Sequence, residues 1–533
     1  MVQSVQTFIN GKIFTSNPEQ PHASAMIVRD GRISWIGEQP ALKRIEGNCI
    51  DLKGQRVLPG FIDAHLHPLW LANASTQIAC TPPIVNSIAD LIVEIQTVYQ
   101  LSRNEQWIEG WGFDEGKLLE KRTPTRWDLD QAAPDLPVFI SRTCTHIAVV
   151  NSKALELAGI TKETPDPPGG EIDRDSTGEP TGILRENAKE LATRIMPVKS
   201  LEENAASLAE LGSFLLSHGI TAITDLSSRT GPTDYLNLYQ TAVKKGLKQR
   251  TVLYYMWEDL KEQPHLKPDQ VNCKNQIHIG GIKLFSDGSV SGKTAWVYTP
   301  FLGEAENYGI QTTSKEELTA AVEAAEQNQI QLVVHAMGGQ AIDLILKTLD
   351  TKKNWLSDGP SLRIEHAAMP TTQAIKRAAE KGIAFVTQAI FMFAEIESYH
   401  NNLGEERTKQ TYPIKSMLDA GVKVALSSDA PATAWADPAN PFVGIKSAVT
   451  RQAYNGADTG QEQRIDVATA ILLYTKAAQE ITRIPEVGKL AVNHHADFIV
   501  LEKDIFDMDL DKIDTVSVSK TYMGGELVFE KHR

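Results

Sequence analysis

The segment Val57-Leu58-Pro59-Gly60-Phe61-Ile62-Asp63-Ala64-His65-Leu66-His67 is the most informative stretch of this chain for its fold. An apolar run ends here in two histidines at positions i and i+2, which point to the same side of an extended strand, so both imidazoles can face one ion. An H-x-H pair alone is a weak motif. Its position at the C-terminal end of a strand is where (β/α)₈ barrels place their active sites.

Outward from this segment, helical patterns that stop at Gly or Asn alternate with continuous apolar runs. Such an alternation predicts a parallel sheet covered by helices on both faces. The helical patterns cover residues 201–218, 315–328, 371–381 and 413–420. Eight candidate strands follow from the apolar runs, and eight is the number that an α/β (β/α)₈ TIM-like barrel requires: Val57–Ile62, Ile220–Thr224, Thr251–Tyr255, Ile279–Phe285, Leu332–Val334, Leu362–Ile364, Ala384–Val386 and Val422–Leu426.

The gap between the first two candidate strands, about residues 70–200, is too long for one crossover. We therefore expect an inserted lid or substrate subdomain there, within a barrel domain of residues 59–484. Its Pro- and Gly-rich segment Thr164–Gly170 predicts a loop.

Both chain ends are rich in short strands, which predicts one discontinuous β-sandwich domain made of residues 1–58 and 485–533. Near the start, apolar β-formers flank the turn signals Asn10-Gly11 and Asp30-Gly31. Near the end, three strands are expected, the last entered through Gly524-Gly525: Ala496–Leu501, Val516–Val518 and Glu526–Phe529.

Composition limits the partners. The chain has 533 residues, of which 42% are hydrophobic and 23% charged, as in soluble globular proteins. A formal charge of −14 argues against nucleic acid and membranes, which demand a basic face, and leaves a small-molecule substrate as the expected partner. The four cysteines are scattered, no signal peptide is evident, and a cytoplasmic location is expected. The oligomeric state is left open, with a homodimer as one option.

Four more metal-binding residue types lie in or at the ends of other candidate strands. Lys283 lies inside an apolar strand, where an unpaired ammonium is costly. His335, His366 and Asp429 follow the fifth, sixth and eighth candidate strands. A single buried histidine is usually structural, but so many strand ends with ligand-type side chains are not plausibly independent. They predict a metal site at the mouth of the barrel.

The order of these motifs resembles the amidohydrolase superfamily, in particular the YtcJ-like branch typified by N-substituted formamide deformylase. The resemblance covers nearly the whole chain. It rests on the segments Pro59–His67, Lys283–Ser289, His335–Gly338, Arg363–His366 and Ser428–Asp429.

The resemblance implies two divalent ions, zinc first among the candidates. His65, His67 and Asp429 would hold one ion, and His335 and His366 the other. Lys283 would be carbamylated by CO₂, because a carbamate offers two oxygens that can bridge ions ~3.5–4 Å apart. One departure stands out: Gly339 occupies the position where the family usually has Asp, which could alter the surroundings of His335.

Parts of the insertion resemble this branch as well. Trp111 lies in a segment similar to its aromatic-rich loop, and His146 and Glu186 lie in segments similar to its lid. These three residues are candidate substrate contacts. His146 is also a candidate catalytic donor to a developing oxyanion, against the alternative of a structural histidine.

The function implied is hydrolysis of an amide-like C–N bond, in an N-acyl or N-formyl compound, by a hydroxide bridging the metals. Asp429 would act as general base and then as acid to the departing amine. A mononuclear deaminase and an ester or lactone hydrolase on the same scaffold stay open as alternatives. A non-catalytic binding protein would be expected to have lost ligands, yet all six are present.

Overall fold

The computed structural model describes residues 5–101, 107–143, 147–167 and 170–531, and of Glu186 the backbone alone. Within these ranges the strands are β1 (Val5–Ile9), β2 (Lys12–Phe14), β3 (His22–Ala23), β4 (Ala25–Arg29), β5 (Arg32–Gly37), β6 (Asn48–Asp51), β7 (Arg56–Pro59), β8 (Phe61–Leu66), β9 (Ile78–Ala79), β10 (Ile108–Phe113), β11 (Val138–Arg142), β12 (Ile147–Val150), β13 (Gly170–Arg174), β14 (Pro180–Glu186), β15 (Ile220–Ser228), β16 (Arg250–Met256), β17 (Ile277–Phe285), β18 (Gln331–Ala336), β19 (Leu362–His366), β20 (Ala384–Thr387), β21 (Lys423–Leu426), β22 (Phe498–Leu501), β23 (Val518–Met523) and β24 (Glu526–Glu530).

The α-helices of the described ranges are α1 (Pro68–Ala74), α2 (Ile88–Leu101), α3 (Arg126–Asp130), α4 (Ser152–Ala158), α5 (Glu190–Thr193), α6 (Leu201–Ser217), α7 (Tyr235–Lys245), α8 (Trp257–Leu260), α9 (Lys315–Gln327), α10 (Gly339–Thr348), α11 (Thr372–Lys381), α12 (Ala389–Ala394), α13 (Ile396–Leu403), α14 (Glu405–Lys409), α15 (Ile414–Asp419), α16 (Pro441–Thr450), α17 (Val467–Tyr474) and α18 (Lys476–Thr482). Short 3₁₀ helices cover Gln39–Ala41, Asn187–Lys189, Gln461–Gln463 and Leu510–Thr515.

The chain divides into two compact units. The larger, called the barrel unit, holds Met1–Pro68, Asn204–Ala430 and Ala439–Arg533. The smaller, called the inserted unit, holds Leu69–Glu203 and Pro431–Pro438. The second segment, Pro431–Pro438, follows the last barrel strand, β21. The sequence pattern did not predict that these residues belong to the inserted unit.

The barrel unit is built on a parallel eight-stranded sheet in the order β21-β20-β19-β18-β17-β16-β15-β8. Its first and last strands approach each other, because Asp429 N–H donates to His65 O at 2.7 Å and His67 N–H donates to Ala430 O at 2.9 Å. The sheet is thereby nearly closed, and the predicted (β/α)₈ fold is confirmed.

Local chemistry explains why the barrel helices begin and end where they do. In α11, the Thr371 side chain accepts from Ala374 N–H, and Gly382 ends the helix with a left-handed backbone at φ 66°. In α9, Ser314 accepts from Glu317 N–H. Such caps satisfy backbone groups that a helix leaves unpaired at its ends, so the chain turns at these residues into the next strand.

The predicted first strand, Val57–Ile62, is wrong as a single element. The chain leaves the strand β7 at Pro59 and begins the barrel strand β8 at Phe61. Gly60 lies between them against Thr221, and an added Cβ would overlap the Thr221 side chain. This close approach needs a glycine. Because the barrel strand runs from Phe61 to Leu66, His65 lies within it, whereas the predicted strand ended at Ile62.

The two chain ends form two facing sheets, with strand orders β5-β4-β1-β6 and β24-β23-β22-β7-β2-β3. Both sheets contribute to one apolar core, in which Phe8 packs edge-on against Phe498 and Tyr522. The expected β-sandwich is therefore present. Asp30-Gly31 turns the hairpin between β4 and β5, whereas Asn10-Gly11 lies between β1 and β2, which belong to different sheets.

The inserted unit has its own sheet, in the order β13-β14-β12-β11-β10-β9. Apolar side chains of this sheet pack against α2, α3 and α4 in two buried clusters. In the described part of the chain, no helix has both the length and the apolar character needed to cross a bilayer.

Candidate metal centre

Two histidines converge on one carboxylate: His65 lies in β8, and His67 directly follows that strand. His65 Nε2 lies 3.2 Å and His67 Nε2 2.9 Å from Asp429 Oδ1. The opposite nitrogen of each ring is held in place: His65 Nδ1 lies 2.6 Å from Glu365 Oε2, and His67 Nδ1 lies 2.7 Å from Ser227 Oγ. The i, i+2 pair of the sequence thus presents both Nε2 atoms to Asp429.

His366 and Asp429 complete this cluster from the ends of two other strands. Asp429 Oδ2 lies 3.9 Å from His366 Nδ1, and the rings of His65 and His366 are 4.9 Å apart. Both residues have a left-handed backbone, with φ 67° at His366 and φ 56° at Asp429. Non-glycine residues adopt it at a cost that is typical of functional sites.

His335 approaches from β18. Its Nε2 lies 2.9 Å from the carbonyl oxygen of Gly288, and its ring is 4.4 Å from that of His366. The buried Asp287 carboxylate fixes the surrounding loops, because it accepts the backbone N–H groups of Trp296, Met337 and Gly338 at 2.7–3.0 Å.

Hydrogen bonds set the proton position on three of these rings. His65 faces a carboxylate and His335 a backbone carbonyl, which only accept hydrogen bonds. His366 Nδ1 faces Gln388 Oε1 at 2.8 Å. In the neutral form of each ring the bonded nitrogen carries the proton, which leaves the other nitrogen available to a metal ion. Metal-ligating histidines are oriented in this way.

Lys283 lies among these groups with its side chain 1% exposed. Its Nζ has no hydrogen-bond partner among the described residues and lies 4.9 Å from the centre of the Phe285 ring. Burial lowers the pKa of Lys283 to about 8, although the Glu365 and Asp429 carboxylates oppose the shift. A buried amine without partners is expensive unless another group completes its surroundings.

The charges favour a cation at this point. Burial raises the pKa of Asp429, but His65 and His67 outweigh it and hold that pKa well below the usual value. Burial lowers the pKa of His335 to about 3 and the pKa of His366 well below its usual range. An ionised carboxylate therefore lies in one buried cluster with two neutral imidazoles, those of His335 and His366.

A buried network that the sequence interpretation missed supports the site from inside the barrel. Glu365 accepts from Arg363 Nε at 3.0 Å as well as from His65. Arg363 also donates to Ala64 O and Tyr254 Oη, both at 2.8 Å. Arg363 holds the pKa of Glu365 down at about 2 although burial opposes this. Two charged residues at i and i+2 inside an apolar strand were the available signal.

The donor set fits a metal. Ligand atoms of His65, His366 and Asp429 all lie within 4.8 Å of one another. Asp429 Oδ1 is buried and has no hydrogen bond among the described residues, although two imidazole nitrogens approach it. Imidazole nitrogens and a carboxylate oxygen that converge in a buried place are donor types that bind a divalent cation. This group combines residues that the sequence resemblance assigns to two different ions.

Aromatic rings flank the cluster. Phe285 is the exposed residue at the end of the otherwise buried β17, with 38% of its surface accessible, and its ring is 5.0 Å from that of His335. Phe391 is buried and stacks on His366 at 6.1 Å. An accessible ring beside ligand-type side chains is suited to contact an apolar part of a substrate.

The unusual Gly339 has a structural reason. It begins α10, and an added Cβ would lie 3.0 Å from Met369 O and 3.1 Å from the Tyr298 ring. The Tyr298 ring occupies the space that an aspartate side chain would need. Its hydroxyl donates to Asp343 at 2.6 Å.

The remaining candidate residues belong to the inserted unit. Trp111 is buried there, and its indole N–H donates to Ala74 O at 3.2 Å. His146 lies outside the described residues, as does the side chain of Glu186. Their assignment as substrate contacts, and that of His146 as a catalytic donor, stay predictions.

Comparison with known proteins gives consistent matches. Residues 48–529 match the model of a family described as the amidohydrolase family. The chain is 30% identical to YtcJ of Bacillus subtilis (strain 168) and 28% identical to the N-substituted formamide deformylase of Arthrobacter pascens, each over 98% of both chains. It also resembles the crystal structure of an uncharacterized metal-dependent hydrolase from Pyrococcus horikoshii OT3, with a TM-score of 0.75, 26% identity, and coverage of 95% of this chain and 99% of that one.

Proposed function

Because this chain belongs to the amidohydrolase family of metal-dependent hydrolases, we propose that it hydrolyses an amide-like C–N bond in an N-acyl or N-formyl amine. The observation that carries the proposal is the convergence of two imidazole nitrogens on Asp429 Oδ1, together with the buried Lys283 amine, which has no hydrogen-bond partner among the described residues. Its relative from Arthrobacter pascens is named for deformylation of N-substituted formamides. That name supports the same class of bond for this chain.

Two divalent ions, zinc first, would be held by this site. His65, His67 and Asp429 would bind one of them, and His335 and His366 the other. When bound, such ions supply a water with a pKa near 7 and polarise the carbonyl of the scissile bond.

Lys283 would join the two sets of ligands as a carbamate. The ammonium first loses a proton. Its neutral amine then attacks CO₂, a C–N bond forms and a second proton is released, so that an anionic carboxylate-like group replaces a cationic one. Nζ is buried and has no partner in the part of the chain that the structure describes, which supports this assignment, because an anionic carbamate is favoured next to cations whereas an ammonium is not.

Asp429 is the proposed general base. Its carboxylate accepts the proton of the attacking water and returns it to the departing amine, so that amide and water yield a carboxylic acid and an amine. Asp63 positions it, since its carboxylate accepts both Ser428 N–H at 3.1 Å and Ser428 Oγ–H at 2.5 Å. Asp429 follows Ser428 directly, so this anchor fixes its place.

The experiment is a screen of N-formyl and N-acyl amines with the release of primary amine as readout. We expect hydrolysis that is abolished by a chelator and restored when zinc is added back. If metal-loaded protein releases no amine from any member of the screen but hydrolyses esters or lactones, the proposed C–N activity is wrong.

One observation favours a second candidate, a mononuclear enzyme such as a deaminase. The three ligand residues that lie within 4.8 Å of one another, His65, His366 and Asp429, would suffice for one ion with an open position. Release of ammonia, with one metal ion per active chain, would identify this alternative.

A further inference from the structure

A cavity in the barrel unit lies at the opposite end of the barrel from the metal centre. Its volume is about 340 Å³. Arg250 is the first residue of β16 and His278 the second of β17, so the cavity lies at the N-terminal ends of strands whose C-terminal ends approach the site. The side chains that matter for its chemistry are Arg32, Arg250, Lys274, His278, Glu486 and His495.

The cavity has an excess of cationic hydrogen-bond donors. Its single carboxylate, Glu486, is already neutralised by Arg32 at 2.7 Å. Arg250 uses only its Nε, toward Asp497 at 3.2 Å, so its two terminal nitrogens have no hydrogen bond to any described residue. Lys274 also lines the cavity and is exposed, so it adds a further cationic donor. Such donors are suited to an oxyanion.

His278 adds an acceptor to these donors. Its side chain is 4% exposed, and its Nδ1 has no hydrogen-bond partner among the residues described. The ring bonds instead to the backbone of Asn275, and burial lowers the pKa of His278 to about 4. The neutral ring therefore keeps its proton on Nε2 and presents a buried lone pair at Nδ1, which is costly unless a ligand donates to it.

We propose that this cavity binds a phosphate group, either inorganic phosphate or a small phosphomonoester. The phosphate oxygens accept from the terminal nitrogens of Arg250 and from Lys274, and a P–OH group donates to His278 Nδ1. A singly protonated phosphate offers acceptors and a donor together, whereas sulfate and carboxylates at neutral pH offer acceptors only. Since the cavity is at the end of the barrel away from the metal centre, this would be a non-catalytic ligand site.

The test is equilibrium dialysis of the metal-loaded protein against labelled inorganic phosphate. Lys274→Gln removes an exposed cation with little risk to folding, and we expect it to weaken phosphate binding at least tenfold. Lys248→Gln is the matched control, because it removes an exposed lysine of the same region that does not line the cavity. It should change the affinity less than twofold.

The role of His278 Nδ1 as a hydrogen-bond acceptor is tested with the variant His278→Phe and with sulfate as a competing anion. Sulfate should bind the wild type at least tenfold more weakly than phosphate, and His278→Phe should remove this preference. A parallel dialysis with glycerol phosphate distinguishes the two candidate ligands. Tighter binding of the ester than of inorganic phosphate would indicate a phosphomonoester, and weaker binding would indicate free phosphate.

Three results would overturn the proposal: no phosphate binding by the wild type, equal binding of sulfate and phosphate, or phosphate binding that Lys274→Gln leaves unchanged. The last would place the bound phosphate elsewhere, such as at the metal centre. Because Lys274 is exposed, the outcome does not depend on whether His278→Phe folds.

Discussion

Replacing Glu365 by Gln is expected to weaken both the fold and the metal site. The Glu365 carboxylate is fully buried and accepts from Arg363 at 3.0 and 3.2 Å and from His65 at 2.6 Å. Glutamine keeps the shape but removes the negative charge. The other partners of Arg363, Ala64 O and Tyr254 Oη, are neutral, so its buried guanidinium would lose its only ion-pair partner among the described residues.

The size of the effect follows from this burial. Removing one member of a buried ion pair typically costs about 3–5 kcal/mol of unfolding free energy. Loss of a carboxylate that orients a metal-binding histidine typically weakens metal affinity about 10- to 100-fold. Glu502→Gln is a matched control, because Glu502 pairs with Lys531 at the surface, at 2.9 Å. Exposed pairs contribute only about 0–1 kcal/mol.

Urea unfolding of the chelated protein measures the first effect, and competition with a chromogenic chelator measures the second. Glu365→Gln should lower the unfolding midpoint clearly more than Glu502→Gln, and it alone should release metal at lower chelator concentrations. The reasoning would be refuted if both variants unfolded at the same midpoint and bound metal with the same affinity.

Three further predictions concern the site. Asp429→Asn should keep its fold and some of its metal but lose about 10²–10⁴ in kcat, since an amide cannot accept the proton; a near-normal kcat with metal bound would contradict the assigned role. Phe285→Ala should raise KM about three- to tenfold for amides with an aromatic substituent, but leave KM for small formamides unchanged, because only the former gain from ring contact; equal changes for both would remove Phe285 from the substrate site. Gly339→Asp should cost about 1–3 kcal/mol by overpacking against Tyr298, and Tyr298→Ala in the same chain should recover part of that loss in thermal unfolding; no recovery would mean that another contact limits the position.

The barrel could be predicted because local signals agree with the fold. The helix predicted over residues 371–381 is present as Thr372–Lys381 and stops at Gly382, and the next apolar run enters a strand, as the sequence pattern indicates. The break at Gly60 was hidden, since it depends on contact with Thr221, which lies more than 150 positions further along the sequence. The inclusion of Pro431–Pro438 in the inserted unit is equally non-local.

The candidate ligands were visible because metal-binding residue types at strand ends stand out against apolar neighbours. The Arg363–Glu365 ion pair was not recognised, although both residues lie within the segment Arg363–His366, on either side of Ile364. Its structural role depends on the hydrogen bonds of Arg363 to Ala64 O and Tyr254 Oη, and only the folded barrel brings these residues together. The space filled by Tyr298 at Gly339 could not be read from the sequence for the same reason.

The central claim, a two-metal site joined by Lys283, is tested most directly by the metal content per chain. Elemental analysis gives this content for the wild type and for Lys283→Ala, and hydrolysis is measured in parallel. We expect close to two divalent ions in the active wild type. Lys283→Ala should lose metal and activity together, because it removes the amine on which the proposed anionic bridge depends. Acetate or propionate should restore part of both by filling the space of the carbamate, and Lys283→Glu should do so weakly. A wild type that is fully active with one ion, or a Lys283→Ala variant that keeps two ions and full activity, would contradict the account.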